Sequence, residues 1–187
     1  MISVVIPTFN ESTTISHNIE KLLQVVSDDD EIIVVDGMSD DDTARIVKKF
    51  GKVRLIENSP RGRALQMNRG VKEATKEYVL FLHADTTIDP TGYKKLVNEL
   101  TKESINWGWF SIKLNSPRFI FRILETLASF RTKIAQEPLG DHGIFVRKEL
   151  FDKVGGFPEI PIMEDVELVK RLKKISKGKR INHYVLT

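Results

Sequence analysis

Tyr78-Val-Leu-Phe-Leu82 is an unbroken apolar run that stops at His83-Ala84-Asp85, and it restricts the fold more than any other stretch. So short a run, rich in aromatic and aliphatic residues, predicts a strand buried on both faces of a parallel sheet. Ligands of open α/β sheets bind outside the carboxyl ends of the strands, which is where His83 and Asp85 arrive. Two residues apart, their side chains fall on the same side of an extended chain. An imidazole and a carboxylate so paired suit a divalent cation with open positions for phosphate oxygens. His-Ala-Asp-Thr-Thr is equally good turn chemistry, in which Asp85 would cap a turn and bind nothing.

The preceding chain alternates strands with helices. Ile2–Ile6 reads as a strand closed by Pro7, with Thr8-Phe-Asn-Glu11 as the loop after it. Ile15, Ile19, Leu22, Leu23 and Val26 recur at helical spacing and predict a helix over Ser12–Val26. Ile32–Val35 is a second buried strand, ending at Asp36-Gly37. Ser39-Asp-Asp-Asp42 resembles a capping-box start, and its carboxylates suit the positive end of a helix, so capping explains that cluster better than metal binding. Val53–Ile56 is a third strand. Arg61 and Arg63 open the next helix, where guanidinium groups can meet phosphate. Ala64, Asn68 and Val71 share one face of it, and the inward amide of Asn68 is expected to tie down the Pro7–Glu11 loop. Asp89-Pro90 is an N-cap followed by proline at the first helical position, with Tyr93, Leu96, Val97 and Leu100 as the apolar stripe. Four strand–helix repeats within a hundred residues are the pattern of a doubly wound α/β layer.

The second half loses that alternation. Trp107–Leu114 reads as a strand, and Arg118–Gln136 as a very apolar helix with interleaved Arg and Lys. Packing across the sheet is the expected use of that helix, lying on a membrane surface the other. Gly140-Asp-His-Gly143 is a glycine-marked loop entering a strand that runs to Arg147. Leu150, Phe151 and Val154 form a short helix ending at Gly155-Gly156. Phe157–Ile162 is extended, because its prolines forbid a helix. Asp165, Leu168, Val169 and Leu172 then recur at i, i+3, i+4, i+7, which makes Asp165 an inward carboxylate on a helix whose basic residues face away.

The 187 residues are enough to bury a core without staples, and the absence of cysteine excludes disulfides and thiolate metal sites and suits a cytoplasmic protein. No apolar run approaches the roughly 18 residues of a membrane span. A net charge of +3 suits an anionic small ligand and is too weak to argue for nucleic acid. Neither G-x-G-x-x-G nor G-x-x-x-x-G-K-[ST] occurs, so phosphate would be held by a metal and arginines instead of a glycine cradle.

Five stretches together resemble the family 2, GT-A-fold glycosyltransferases: Pro7-Thr-Phe-Asn-Glu11, Val35-Asp-Gly-Met-Ser39, Arg61-Gly-Arg-Ala-Leu-Gln-Met-Asn68, His83-Ala-Asp85 at the D-x-D position, and Met163-Glu-Asp165. The chain looks closest to a small, soluble branch associated with radical-SAM gene neighbourhoods. The resemblance implies a GT-A-like, Rossmann-type three-layer sandwich with a mostly parallel central sheet. It implies one domain over residues 1–187, with 1–100 holding the nucleotide sugar and 101–187 the acceptor, and with the carboxyl-terminal part shorter than in relatives. Pro7, Phe9, Glu11 and Asp36 would hold the base and ribose of the donor, with Thr8 also among the substrate-binding residues. Arg61, Arg63, Asn68, His83, Ala84, Gly140, Asp141, His142 and Glu164 would complete the substrate-binding set. Asp85 would carry Mg²⁺ or Mn²⁺ across the two phosphates, with His83 standing where relatives have an acid. Asp165 would be the general base of a single displacement with inversion. The acceptor is left open between a small metabolite and a lipid phosphate, as is the oligomeric state, and any membrane contact would be peripheral.

That chemistry needs one carboxylate at the phosphates and another across the sugar, because a leaving diphosphate builds charge and an acceptor hydroxyl must lose a proton. Two other readings share the α/β fold. A sugar nucleotidylyltransferase would carry a glycine- and basic-rich loop near its start, which Pro7–Ser12 does not resemble. A non-catalytic nucleotide-sugar-binding module would keep Asp36 and the donor loop and have no need of Asp165.

Overall fold

The computed structural model describes residues 1–102, 104–113 and 138–187. Within them lie seven strands: β1 (Ile2–Thr8), β2 (Glu31–Asp36), β3 (Val53–Ile56), β4 (Tyr78–Phe81), β5 (Trp107–Lys113), β6 (Phe145–Arg147) and β7 (Lys179–Leu186). They form one sheet in the order β3-β2-β1-β4-β6-β5-β7. β1 pairs in parallel with β2 and β4, and β2 with β3; β6 alone runs antiparallel, to both β4 and β5, and β7 returns parallel to β5. This is a mixed α/β sheet of mostly parallel strands.

Helices cover both faces. Tyr78, Leu80 and Leu82 join Val4 and Ile6 in a core closed by α1 (Ile15–Leu23) and α4 (Pro90–Lys102). Val79 and Phe81 face the other way, against Val5, Ile33 and Val35, under α3 (Arg63–Glu73), α5 (Lys148–Lys153) and α6 (Glu164–Lys173). The central run is therefore apolar throughout because both of its faces are core. Gly70 brings α3 close to the sheet: a Cβ there would lie 2.4 Å from Val5 Cγ1.

Several expectations are corrected. β4 ends at Phe81, so His83 and Asp85 sit in a turn closed by Thr86 N donating to His83 O at 3.1 Å, and strand alternation does not set their directions. Helix α1 starts only at Ile15, after Thr14 and Ile15 donate to Glu11 O. The Ser39 capping box does not form: Ser39 Oγ donates to Asp36, and α2 (Thr43–Val47) begins four residues later. β7 was not anticipated, since Lys179-Arg-Ile-Asn-His-Tyr has no clean alternation. The Asp89 cap does form, with Gly92 N donating to Asp89 Oδ1 at 2.8 Å. The expected helix over Arg118–Gln136, and with it the choice between packing and membrane, lies outside the described residues. Among the described residues no helix is long and apolar enough to cross a membrane.

Candidate active site

The loops after β1 and β2 are stitched together at the carboxyl edge of the sheet. Asp36, 3% exposed, accepts from Thr8 Oγ1 (3.1 Å), Ser39 Oγ (2.6 Å) and Ser39 N (2.9 Å). Asn10 N donates to Ser39 Oγ at 2.9 Å and Glu11 N to Thr43 Oγ1 at 2.7 Å. Gln66 reaches down from α3 and donates to Thr8 O (2.7 Å) and Val35 O (2.8 Å), tying the carboxyl ends of β1 and β2 together. The loop-tying amide is thus Gln66 and not Asn68. Asn68 instead exchanges two hydrogen bonds with the backbone of Phe157, at 2.8 and 2.9 Å. Helical geometry separates these roles: residues two apart on a helix face nearly opposite ways, toward the sheet and toward the 157 segment.

Above this platform opens a cleft of about 340 Å³, lined by Pro7, Thr8, Phe9, Glu11, Arg61, Gly62, Arg63, Gln66, His83, Ala84 and Asp85. The Arg61 guanidinium stands 3.9 Å over the Phe9 ring centre, a cation–π contact at the mouth. Arg63 Nε donates to Glu164, whose side chain is buried, so this ion pair closes one wall. Burial works against the charge of Arg63, yet Glu164, Asp165 and Asp141 together bind its proton more tightly than in a free guanidinium. His83 is half-buried, and burial together with the nearby Arg63 charge pushes its imidazole below the ordinary value, toward the neutral form. The turn that carries it is pinned from beneath by Asn18 of α1, which donates to Ala84 O. Asp85 is exposed, and its partner among the described residues is Thr86 Oγ1 at 3.2 Å.

Asp165 lies behind this wall, 4% exposed, accepting from Gly140 N and from Val166 N at 2.8 Å. A Cβ on Gly140 would stand 3.1 Å from His83 Nε2 and 3.3 Å from Asp165 Oδ2, so the three residues converge on one point. Next to them Asp141 Oδ1 is 2.8 Å from His142 Nδ1. Burial raises the Asp141 carboxyl, but the His142 hydrogen bond and the charges of His142 and His83 outweigh it and hold the group below the usual carboxylate range. His142 is buried, and its Nε2 has no partner among the described residues.

The structure thus brings together fourteen of the residues singled out in the sequence: Pro7, Thr8, Phe9, Glu11, Arg61, Arg63, His83, Ala84 and Asp85 line the cleft, Gly140, Glu164 and Asp165 back it, and Asp141 and His142 lie beside them. Asp36 and Asn68 do not line it; one supports its floor and the other anchors the neighbouring segment. Gln66, Asn18, Ser39 and Thr86 were missed. Asn18 was findable, since it falls three residues after Ile15 and four before Leu22 on the inward face of α1. No three His, Asp or Glu residues gather into a cation cage among the described residues. One free carboxylate with an imidazole two residues away fits a hard cation that keeps most of its ligands from water and phosphate, as Mg²⁺ does and Mn²⁺ can.

A mostly parallel α/β layer takes its ligands at the carboxyl edge of the sheet, where this cleft opens. The chain belongs to a family described as Glycosyl transferase family 2, whose sequence model matches residues 3–155. It is 35% identical over 107 residues to the poly-beta-1,6-N-acetyl-D-glucosamine synthase of Staphylococcus epidermidis, covering 54% of this chain and 26% of the synthase. The Staphylococcus aureus (strain COL) synthase is 35% identical over 94 residues, 47% of this chain and 22% of that one. The matched stretch is thus about a quarter of the length of these relatives. Among solved structures, S. aureus TarS 1–349 in complex with UDP-GlcNAc superposes with a TM-score of 0.80 at 20% identity, covering all of this chain and 58% of that one. The mannosyltransferase PcManGT from Pyrobaculum calidifontis, in complex with GDP-Man and Mn²⁺, gives 0.79 at 21% identity, covering all of this chain and 56% of the other. At such identities the likeness is one of fold, the GT-A-like sandwich.

Proposed function

We propose that this chain is an inverting glycosyltransferase that moves a sugar from a nucleoside diphosphate to an acceptor hydroxyl or phosphate. The observation that carries this reading is the placing of two carboxylates about one cleft, Asp85 free at its mouth and Asp165 behind His83 and Gly140. Family membership supports it, as does the fold shared with proteins solved with UDP-GlcNAc and with GDP-Man and Mn²⁺.

In this mechanism Phe9, Pro7 and Glu11 receive the base and ribose, with Asp36 keeping their loop in shape. Arg61 and Arg63 meet the diphosphate with charge-assisted hydrogen bonds. Asp85 would hold Mg²⁺ or Mn²⁺, which supplies Lewis-acid stabilisation of the departing diphosphate. The acceptor oxygen attacks the anomeric carbon from the face opposite the diphosphate. The bond from that carbon to the diphosphate oxygen breaks, its electron pair leaves with the nucleotide, and the configuration inverts. For a hydroxyl acceptor, Asp165 takes the proton, held in place by the Gly140 and Val166 amides.

One observation favours a second reading. Asp165 already accepts two backbone N–H groups, as an acid does that merely joins helix α6 to the Gly140 turn. On that reading the chain binds nucleotide sugars without turning them over. Incubation with UDP- and GDP-sugars and Mn²⁺ separates the possibilities. Nucleoside diphosphate release with an inverted product is expected; consumption of added pyrophosphate with formation of UTP or GTP and a sugar 1-phosphate would indicate a nucleotidylyltransferase, and binding alone a sensor. Asp85→Ala is expected to remove the Mn²⁺-dependent part of nucleotide affinity while leaving the melting temperature unchanged, because the side chain is exposed. Equal Mn²⁺-dependent affinity in that variant, measured by calorimetry, would refute the metal assignment.

A further inference from the structure

Asp85 has little support of its own, but the residues after it are gripped by β7. Thr87 and Leu186 exchange two backbone hydrogen bonds of 2.8 Å. Thr86 Oγ1, itself bonded to Asp85, lies 3.2 Å from Thr187 Oγ1. Two residues further on, Asp89 takes His183 Nε2 on both oxygens, at 3.0 and 2.9 Å. A helix cap needs only the Gly92 amide on Asp89, so the second, bifurcated partner calls for its own explanation.

The His183 ring is well placed to be rigid. It stacks on Tyr184 with ring centres 4.8 Å apart, and it packs so tightly on Gly92 that a Cβ there would come within 2.5 Å of its Cδ2. Lys95 Nζ holds the adjoining Asn182 carbonyl at 3.1 Å. An imidazole on a sheet-edge strand would normally lie in solvent, yet this side chain is only 14% exposed.

We propose that His183 is a positioning residue for Asp85: through Asp89 and the Thr86–Ile88 segment it fixes the direction in which the Asp85 carboxylate meets a divalent cation on a nucleoside diphosphate. The inference rests on the reading of Asp85 as the cation-bearing carboxylate. A carboxylate on an unsupported turn loses conformational freedom when it binds, whereas a braced one has lost it already. His183 touches neither metal nor nucleotide; it acts at two removes, as outer partners of metal ligands do.

The test is Mn²⁺ binding followed by electron paramagnetic resonance with saturating UDP, and in parallel with GDP, on the wild type, His183→Ala, His183→Gln and Thr86→Val. His183→Ala should raise the Mn²⁺ Kd about tenfold, and His183→Gln, whose amide can still donate to Asp89, should bring it back to within about twofold of wild type. Thr86→Val conserves shape, removes the hydroxyl between Asp85 and Thr187, and should weaken Mn²⁺ in the same direction. It carries the test if His183→Ala does not fold. A His183→Ala protein that melts earlier but binds Mn²⁺ like wild type would reduce the contact to a structural brace and overturn the inference alone. Glutamine behaving no better than alanine would overturn it too. A wild type that binds no Mn²⁺ with either diphosphate would sink both this inference and the cation reading of Asp85.

Discussion

A side chain on Gly140 would press on His83 and Asp165, 3.1 and 3.3 Å from where its Cβ would lie. That crowding makes Asp165 the residue whose substitution tells most. Asparagine keeps an oxygen for the Gly140 amide and loses the capacity to take a proton. With a hydroxyl acceptor, kcat should fall by about 10²–10⁴-fold, with donor Kd nearly unchanged and the melting temperature close to wild type. Single-turnover rates beside thermal melts check this; normal turnover with a lowered melting temperature would make Asp165 a structural stitch. Its inward direction was legible from the i, i+3, i+4, i+7 spacing. The hydrogen bond that it accepts from Gly140 N, 25 residues away, comes only with folding. The amides tell the same story. Asn68 was rightly expected to need partners and wrongly assigned them, while Gln66, two residues before it, does the tying.

At the level of elements, α3 shows two opposed effects that magnitudes can decide. Gly70→Ala improves helix propensity by about 1 kcal/mol. The new methyl, however, would stand 2.4 Å from Val5 Cγ1 and 3.2 Å from Val35 Cγ2, both in the middle of the sheet. Overpacking of this kind costs roughly 1–3 kcal/mol, so the expected net change is a loss of stability. Chemical denaturation measures it, and a gain would mean that α3 lifts from the sheet freely. The elements that sequence patterns located well are those with a strong period or an unbroken apolar run, such as β4 and α6. Those it missed or misplaced obey non-local partners. Ser39 caps no helix and its Oγ instead receives Asn10 N from the loop after β1, and β7 is a strand because β5 offers it an edge.

For the whole molecule, the pairing of β6 with β4 matters most. Residues 145–147, late in the chain, insert next to the central strand with Tyr78 opposite Arg147 and Leu80 opposite Phe145. β5 and β7 then extend the same sheet, so the earlier strands and the later ones share one set of backbone hydrogen bonds and two continuous cores. One cooperative unfolding transition is therefore expected. Trp107 and Trp109, stacked 5.5 Å apart on β5, report the later part by fluorescence, and far-UV dichroism reports the helices throughout. The two denaturation curves should coincide. A fluorescence midpoint well below the dichroism midpoint would show that the later strands melt as a separate unit.

By itself the sequence determined the alternation of elements, the buried central strand, the arrival of His83 and Asp85 at its carboxyl end and the inward face of Asp165. These follow from local periodicity and from the cost of exposing apolar side chains, both of which can be read within a dozen residues. Only the tertiary structure decided that the Asp36 carboxylate is occupied by Thr8 and Ser39, that Gln66 ties the ends of β1 and β2, and which backbone amides Asp165 accepts from. It alone decided that β7 braces the turn after Asp85. Apart from the Ser39–Asp36 and Val166–Asp165 contacts, each of these is a hydrogen bond between residues far apart in the chain, and any of several polar side chains could have made it. Which one does is settled by how the helices seat on the sheet, since a buried polar group takes whichever partner the packed backbone brings within about 3 Å.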